Sequence, residues 1–257
     1  MRDVGRILIG LAIAAFSLIS FFASQEYNPI TGENQFVSLT PRQEIALGLQ
    51  SAPDLIQQYG GVFQDQRAQI LVDDIGFDLV QNSVASDTPW QFEFTVLSDP
   101  QTVNAFALPG GQVFITTALL GRMDREDQVA AVLAHEIVHV LARHGAQRLA
   151  QSELTNGLIG AVAVASEDAG AVQTAAVVGQ LVNLQYGRDD EIQSDTLGVC
   201  LMIDAGYDPT GMIEVQQILA QASQGGRPPE FLSTHPSPDN RIQRIQQAIA
   251  DAPAGCP

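Results

Sequence analysis

Two of the four histidines in this chain stand four residues apart with a glutamate beside the first: His135, Glu136 and His139. On an α-helix, at about 100° per residue, the two imidazoles lie about 40° apart, one turn above the other. Side chains so placed can grip a single Zn2+ through their ring nitrogens. Glu136, about 100° round from His135, can then reach a water on the metal. The H-E-x-x-H spacing therefore points to metal-assisted hydrolysis with Glu136 as general base. A helix can also carry such a motif by chance, its imidazoles serving as core filling. The flanking residues Val129, Val132, Leu133, Ile137, Val140 and Leu141 are apolar, however, and an unpartnered imidazole pair among them would be costly.

A catalytic zinc keeps three protein ligands and one open position. No Gly and His follow His139 at the spacing of the metzincins. His144 is five residues past His139, about 140° round a continuous helix, so it points away from the metal and reads as structural. The candidate third ligand is Glu191, in the run Arg188-Asp189-Asp190-Glu191-Ile192-Gln193-Ser194-Asp195. Asp195, four residues on, suits the orientation of a ligand histidine from behind. The same run also reads as a solvated acidic helix start, since Asp189 and Asp190 favour a helix N-terminus. Spacing alone leaves both readings open.

Taken together, HEIVHVLARH from His135 and YGRDDEIQSD ending at Asp195 resemble the paired motifs of the HtpX-like and CAAX-prenyl-protease family of gluzincin zinc metallopeptidases. The second motif of that family is typically an Arg followed by E-x-E-A-D. The resemblance implies Glu191 as third zinc ligand and matches the motif's Asp to Asp195. Gln193 and Ser194 stand where Glu and Ala are usual, and neither is a ligand position. Val103-Asn104-Ala105-Phe106-Ala107-Leu108-Pro109-Gly110-Gly111 resembles the family's strand and turn beside the cleft, and Ser233-Thr234-His235-Pro236 its S-T-H-P segment. The match runs over about Thr40–Ala250. It implies one Zn2+ per chain and a minimal extracytoplasmic member of the family. His235 is then a site residue, as oxyanion stabiliser or as a resting-state plug of the open zinc position, unless it is a local cap. Asn104, Ala105, Phe106 and Ala107 are expected to offer an exposed strand edge to which an extended substrate adds through its backbone; the alternative is an interior strand.

The elements that must position these residues are partly legible. Thr40-Pro41-Arg42-Gln43 reads as a helix start, with a Thr cap, Pro at the first position and Gln three on. That helix runs to about Tyr59 and stops at Gly60-Gly61. A second spans roughly Gln64–Ser83, with Ile70, Leu71, Ile75 and Leu79 at helical spacing. Trp90–Leu97 switches to period two, Phe92, Phe94 and Val96 sharing one side. Thr102–Leu108 and Gln112–Thr117 follow, divided by Pro109-Gly110-Gly111, so the three predict a small antiparallel meander. The motif helix begins at Asp124 or Asp127 and runs to Gly145 or beyond. Leu154–Leu184 reads as packed helices, with a mobile lid as the alternative. Further helices are expected at Asp189–Ala205, at Pro209–Ser223 and, capped by Ser237-Pro238-Asp239 after a Gly225-Gly226 loop, to about Ala250.

Ahead of them, Ile7–Ala23 is an uncharged run of 17 residues behind Arg2 and Arg6. As a helix it spans about 25 Å, the lower limit for crossing a bilayer. Residues 1–24 are thus a cleaved signal peptide or a retained anchor, the basic start placing the bulk of the chain outside the cytoplasm. Residues 25–39, with Asn28-Pro29 and Thr31-Gly32, read as a polar tether, and 251–257 as a tail. Cys200 and Cys256 suit one disulfide in an oxidising compartment, or two free thiols. The whole reads as an α+β protein: a mainly helical zincin domain at 40–250 with a small β-sheet, preceded by one hydrophobic segment.

A net charge of −17, with all 12 basic residues Arg and none Lys, excludes a nucleic-acid partner. The expected function is zinc-dependent hydrolysis of peptide bonds in unfolded or misassembled cell-envelope proteins. The expected place is the periplasm, either anchored in the inner membrane or released after signal cleavage. Partners are then protein or peptide substrates, with membrane contact through the first segment if it is retained. The competing readings are a zinc-containing chaperone or assembly factor with little proteolysis, and a structural helical domain. Glu136 favours the enzyme, since a binding module needs no base.

Overall fold

The computed structural model describes residues 2–166, 187–223, 229–235, 240–252 and 256. In chain order the elements are α1 (Arg2–Ala23), β1 (Gln25–Asn28), β2 (Glu33–Phe36), α2 (Pro41–Gln58), α3 (Gln66–Gln81), a 3-10 turn at Val84–Asp87, β3 (Glu93–Leu97), β4 (Ala105–Ala107) and β5 (Gln112–Thr116). They continue with α4 (Thr117–Leu120), α5 (Glu126–Leu141), α6 (His144–Ser166), α7 (Arg188–Asp204), α8 (Gly211–Ser223), α9 (Glu230–Thr234) and α10 (Arg241–Asp251). This is a mainly helical α+β architecture with one N-terminal apolar helix. The second half of the expected Leu154–Leu184 helices, the Gly225-Gly226 loop and the Ser237-Pro238-Asp239 cap lie outside the described residues. The chain divides into two compact units, 1–40 with 145–184, and 41–144 with 185–257.

In the first unit, α1 is long and apolar enough to cross a membrane: Val4–Ala23 is 20 residues with a mean hydropathy of 2.1. The segment expected as a tether is instead an antiparallel hairpin, β1 pairing with β2 from Gln25↔Phe36 to Asn28↔Glu33. The turn residues recognised in the sequence close it. The Asn28 side chain accepts the Ile30 amide at 2.9 Å, and Gly32 takes φ +70°. Phe36 stacks on Phe21 at 4.5 Å and meets Phe22 edge-on, so the hairpin is seated on the end of α1. Arg6 Nε donates to the Val164 carbonyl at 3.1 Å, tying α1 to α6.

The second unit is built around α5, in which Gln128–Leu141 are all buried. A helix apolar on every side belongs inside a domain, and α5 is packed by α3, α7, α8 and the β-sheet. Gly198 in α7 faces Met212 and the Ala134–His135 backbone; a Cβ there would crowd the Met212 methyl and rest in ordinary contact on α5. The sheet is not a meander. Its order is β3-β5-β4, with β5 parallel to β3 and antiparallel to β4. Alternation of apolar residues is the same for either direction of pairing, so the sequence pattern was blind to the difference. Two local devices set the topology. Gly110 and Gly111, at φ +95° and +121°, fold β4 back along β5, and the close approach of α2 at Ile45 leaves no room for a side chain on Gly110. The Asp99 carboxylate accepts the Gln101 and Thr102 amides, and Thr116 Oγ1 donates to Thr102 O at 2.6 Å, pinning the crossover from β3 to the far edge.

A disulfide joins Cys200 of α7 to Cys256, 56 residues on. Closing a loop of that length removes unfolded-chain entropy worth about 4 kcal/mol. The double variant Cys200→Ala/Cys256→Ala is expected to lose most of that in urea unfolding. A midpoint equal to that of the oxidised wild type would show that the bridge contributes nothing.

Candidate metal centre

The first turn of the motif helix carries Glu126 and Asp127, acids suited to its N-terminus. Two turns in, α5 presents His135 and His139, and their Nε2 atoms face one another at 3.1 Å. From the neighbouring α7, Glu191 reaches both: Oε2 is 3.5 Å from His135 Nε2, and Oε1 is 3.5 Å from His139 Nε2. His235, just past α9, completes a group of four buried residues whose donor atoms all lie within 4.8 Å of one another. Glu136 lies beside the group, its Oε1 3.5 Å from His235 Nε2. Behind His135, Asp195 Oδ1 is 2.9 Å from Nδ1, and Arg241 from α10 grips Asp195 through Nε at 2.7 Å and Nη2 at 2.9 Å.

The donors fit a small tetrahedral cation. Nitrogens bound to one such ion at about 2.1 Å lie roughly 3.4 Å apart, close to the edges of the His135–His139–Glu191 triangle. The charges fit as well. Glu136, Glu191 and Asp195 are three buried carboxyl groups gathered around one buried guanidinium, Arg241, a surplus of acid that suits a cation. Neither carboxylate oxygen of Glu191 accepts a hydrogen bond of good geometry, although both sit fully enclosed. Such oxygens suit a metal.

A model of peptidase family M48 matches residues 66–249. The chain belongs to that family. The M48 chain is 30% identical to the mitochondrial metalloendopeptidase OMA1 of Schizosaccharomyces pombe, covering 94% of itself and 71% of that protein. It is 30% identical to the β-barrel assembly-enhancing protease of Escherichia coli K12 over 94% of itself, and spans 52% of that protein's length. Against OMA1 of Saccharomyces cerevisiae it is 35% identical, over 67% of itself and 51% of the relative. The chain is a metallopeptidase, as its H-E-x-x-H helix led us to expect.

The electrostatics of this M48 centre answer to burial first. Burial pushes the Glu136 carboxyl up to about 8, against the opposing pull of the His135 and Arg241 charges and the Ala107 amide. Burial acts on His135 in the opposite sense, yet Asp195 and Glu191 hold it up at about 9, while His139 is driven well below its ordinary value. Burial would raise Asp195, but the Arg241 guanidinium and His135 outweigh it and keep Asp195 ionised.

Other expectations need correction. His144 does not point away. α5 stops at Leu141, Arg143 takes the left-handed conformation at φ +57°, and α6 starts at His144. Extrapolating the helix through Arg143 was the error, since the left-handed residue swings His144 back until its Nδ1 is 2.9 Å from His139 Nδ1. That conformation costs a bulky residue roughly 1–2 kcal/mol. A buried ion pair holds it: Arg143 Nη2 lies 2.7 Å and Nε 2.8 Å from Glu44 Oε1, with the guanidinium over Trp90.

β4 is an edge strand of the sheet, but Ala105, Phe106 and Ala107 are all buried, so the edge is not exposed. Phe106 points into an aromatic stack with Phe114 and Tyr59. Asn104 does not face the metal donors; its Nδ2 donates to Glu230 Oε1 at 3.2 Å, where the Tyr59 hydroxyl also donates at 2.5 Å. The Phe231 amide donates to Val103 O at 3.1 Å, so the segment that bears His235 covers the start of this edge.

Arg241 was missed altogether. In the sequence it is an ordinary charge in the first turn of an amphipathic helix. Only the packing of α10 on α7 reveals it.

Proposed function

We propose that this M48 peptidase holds one Zn2+ through His135, His139 and Glu191 and cleaves unfolded or misassembled proteins outside the cytoplasm. The observation that carries the reading is the convergence of two imidazole nitrogens, 3.1 Å apart, on one carboxylate whose two oxygens each lie 3.5 Å from one of them, with a glutamate beside the group. Two nitrogens and one oxygen are a donor set of catalytic zinc. Zinc held by these residues would supply Lewis acidity for the scissile carbonyl and for an attacking water. Glu136 accepts the proton of the attacking water and returns it to the leaving amine. Asp195 accepts from His135 Nδ1, which leaves Nε2 free to ligate, and Arg241 holds Asp195 in place.

His235 stands beside the general base, its Nε2 3.5 Å from Glu136 Oε1, where it serves as a resting-state plug of the open position or as an oxyanion stabiliser. Its Nδ1 meets the Thr234 hydroxyl at 2.9 Å, which can donate to it, and the Phe231 carbonyl at 3.2 Å, which can only accept. An extended substrate that adds to β4 has to displace the 229–235 segment, because the Phe231 amide occupies Val103 O.

The first unit and the disulfide support this place of action. An apolar helix led by Arg2 and Arg6 delivers the catalytic unit across a membrane, as a signal or an anchor. The Cys200–Cys256 bridge persists in an oxidising compartment such as a bacterial periplasm. The name of the Escherichia coli relative ties that protein to β-barrel assembly, in keeping with incompletely folded clients here. Within M48, the paired motifs and the S-T-H-P segment liken the chain to the HtpX-like and CAAX-prenyl-protease members.

The test is degradation of casein by the purified chain. Cleavage should vanish with a chelator and return with about one equivalent of zinc per chain. Glu191→Ala should abolish stoichiometric zinc binding. Full zinc affinity in that variant would mean a different third ligand. A zinc-loaded wild type that only suppresses client aggregation, without cutting, would overturn the enzyme reading in favour of a chaperone.

A further inference from the structure

We propose that His144 is a positioning residue for the metal ligand His139, and that Gln193 sets the tautomer through which it acts. The inference rests on the reading above that His139 holds the metal. The observation is a linear relay of three buried or half-buried side chains. His139 Nδ1 lies 2.9 Å from His144 Nδ1, and His144 Nε2 lies 3.0 Å from Gln193 Oε1. His135 and His139 thus receive unlike support: Asp195 with Arg241 stands behind the first, and an imidazole with an amide behind the second.

The relay has one direction compatible with a metal. A ligating His139 uses the Nε2 lone pair, so its proton is on Nδ1 and that atom donates. His144 Nδ1, at 2.9 Å, must then accept, which puts the proton of His144 on Nε2. That N–H needs an acceptor, and Gln193 Oε1 supplies it. Run the other way, the relay ends with a hydrogen on His139 Nε2, and the ring cannot ligate. The local fold serves this contact. The left-handed Arg143, held by Glu44 and Trp90, is what turns His144 back onto His139. Gln193 sits at one of the two positions of the second motif that depart from the pattern it resembles, and the relay gives that residue work.

The experiment measures zinc affinity by competition with a chromophoric chelator, with circular dichroism to confirm folding. His144→Ala and His144→Leu should weaken zinc about 10- to 100-fold, the usual effect of removing a partner behind a ligand histidine. His144→Asn places an amide oxygen near the Nδ1 position, where it accepts from His139, and should restore affinity to within about threefold of wild type. Gln193→Leu, at a half-buried position, should weaken zinc several-fold, and it remains informative if the alanine variant fails to fold. The d–d spectrum of the cobalt-substituted His144→Leu protein should shift from that of the wild type, since the His139 ring is no longer held. His139→Ala is the control on the underlying reading: if it keeps zinc, the ligand assignment itself is wrong. If His139→Ala loses zinc while His144→Ala stays within about twofold of wild type, or His144→Asn is no better than alanine, the relay is overturned and the ligand set stands.

Discussion

Glu136→Gln is expected to retain one zinc per chain and to lose peptide-bond hydrolysis by a factor of about 10² to 10⁴, the usual worth of a general base. The residue sits in the cluster without being one of the four that present donor atoms to it. Its carboxyl is fully buried, and neither oxygen accepts a hydrogen bond of good geometry. Glutamine keeps the volume and removes only the capacity to take a proton. Burial already pushes this carboxyl up to about 8. Glutamine keeps a neutral side chain of the same size in that buried position, so the variant should melt no lower than the parent. Elemental analysis gives the metal count, and cleavage of a fluorescent casein gives the rate. Turnover equal to the parent's would place the base elsewhere.

Arg241→Met should have the largest effect on stability. The guanidinium forks onto both oxygens of Asp195, at 2.7 and 2.9 Å, and its third nitrogen stands 3.1 Å from Glu191. Removing one partner of a buried pair leaves the other charge uncompensated, at about 3–5 kcal/mol. Two carboxylates are exposed to that penalty here. Arg241→Lys should recover only part of the loss, because an ammonium cannot engage both oxygens of Asp195 in the same fork. Urea unfolding of the metal-free chains measures both. A Met variant as stable as the parent would mean that Asp195 does not depend on the arginine.

How much of this was legible beforehand depended on whether the cause lay along the chain or across it. His135, Glu136 and His139 follow a helical period, and the apolar residues around them already implied a helix in the core. Glu191 needed the resemblance, because an acid in the first turn of a helix has an equally good local explanation. Arg241 had no signal at all, since its partners Asp195 and Glu191 lie on a different helix. The break at Arg143 lacked the usual punctuation of Gly, Pro or Asn. It is enforced by Glu44, 99 residues earlier. The hairpin at 25–36 went unread because its strands are four residues each and mostly polar, so alternation gave nothing to see. The parallel β3–β5 pair was hidden because side-chain period is indifferent to strand direction.

The candidate metal centre draws on α5, α7 and α10, and its contacts reach across as many as 106 positions. During synthesis the H-E-x-x-H helix emerges long before Glu191, and Glu191 before the arginine that neutralises its surroundings. A nascent chain with only the first of these in hand has no coherent cage for an ion. The cage proposed for the ion therefore cannot close until the chain has been made through α10.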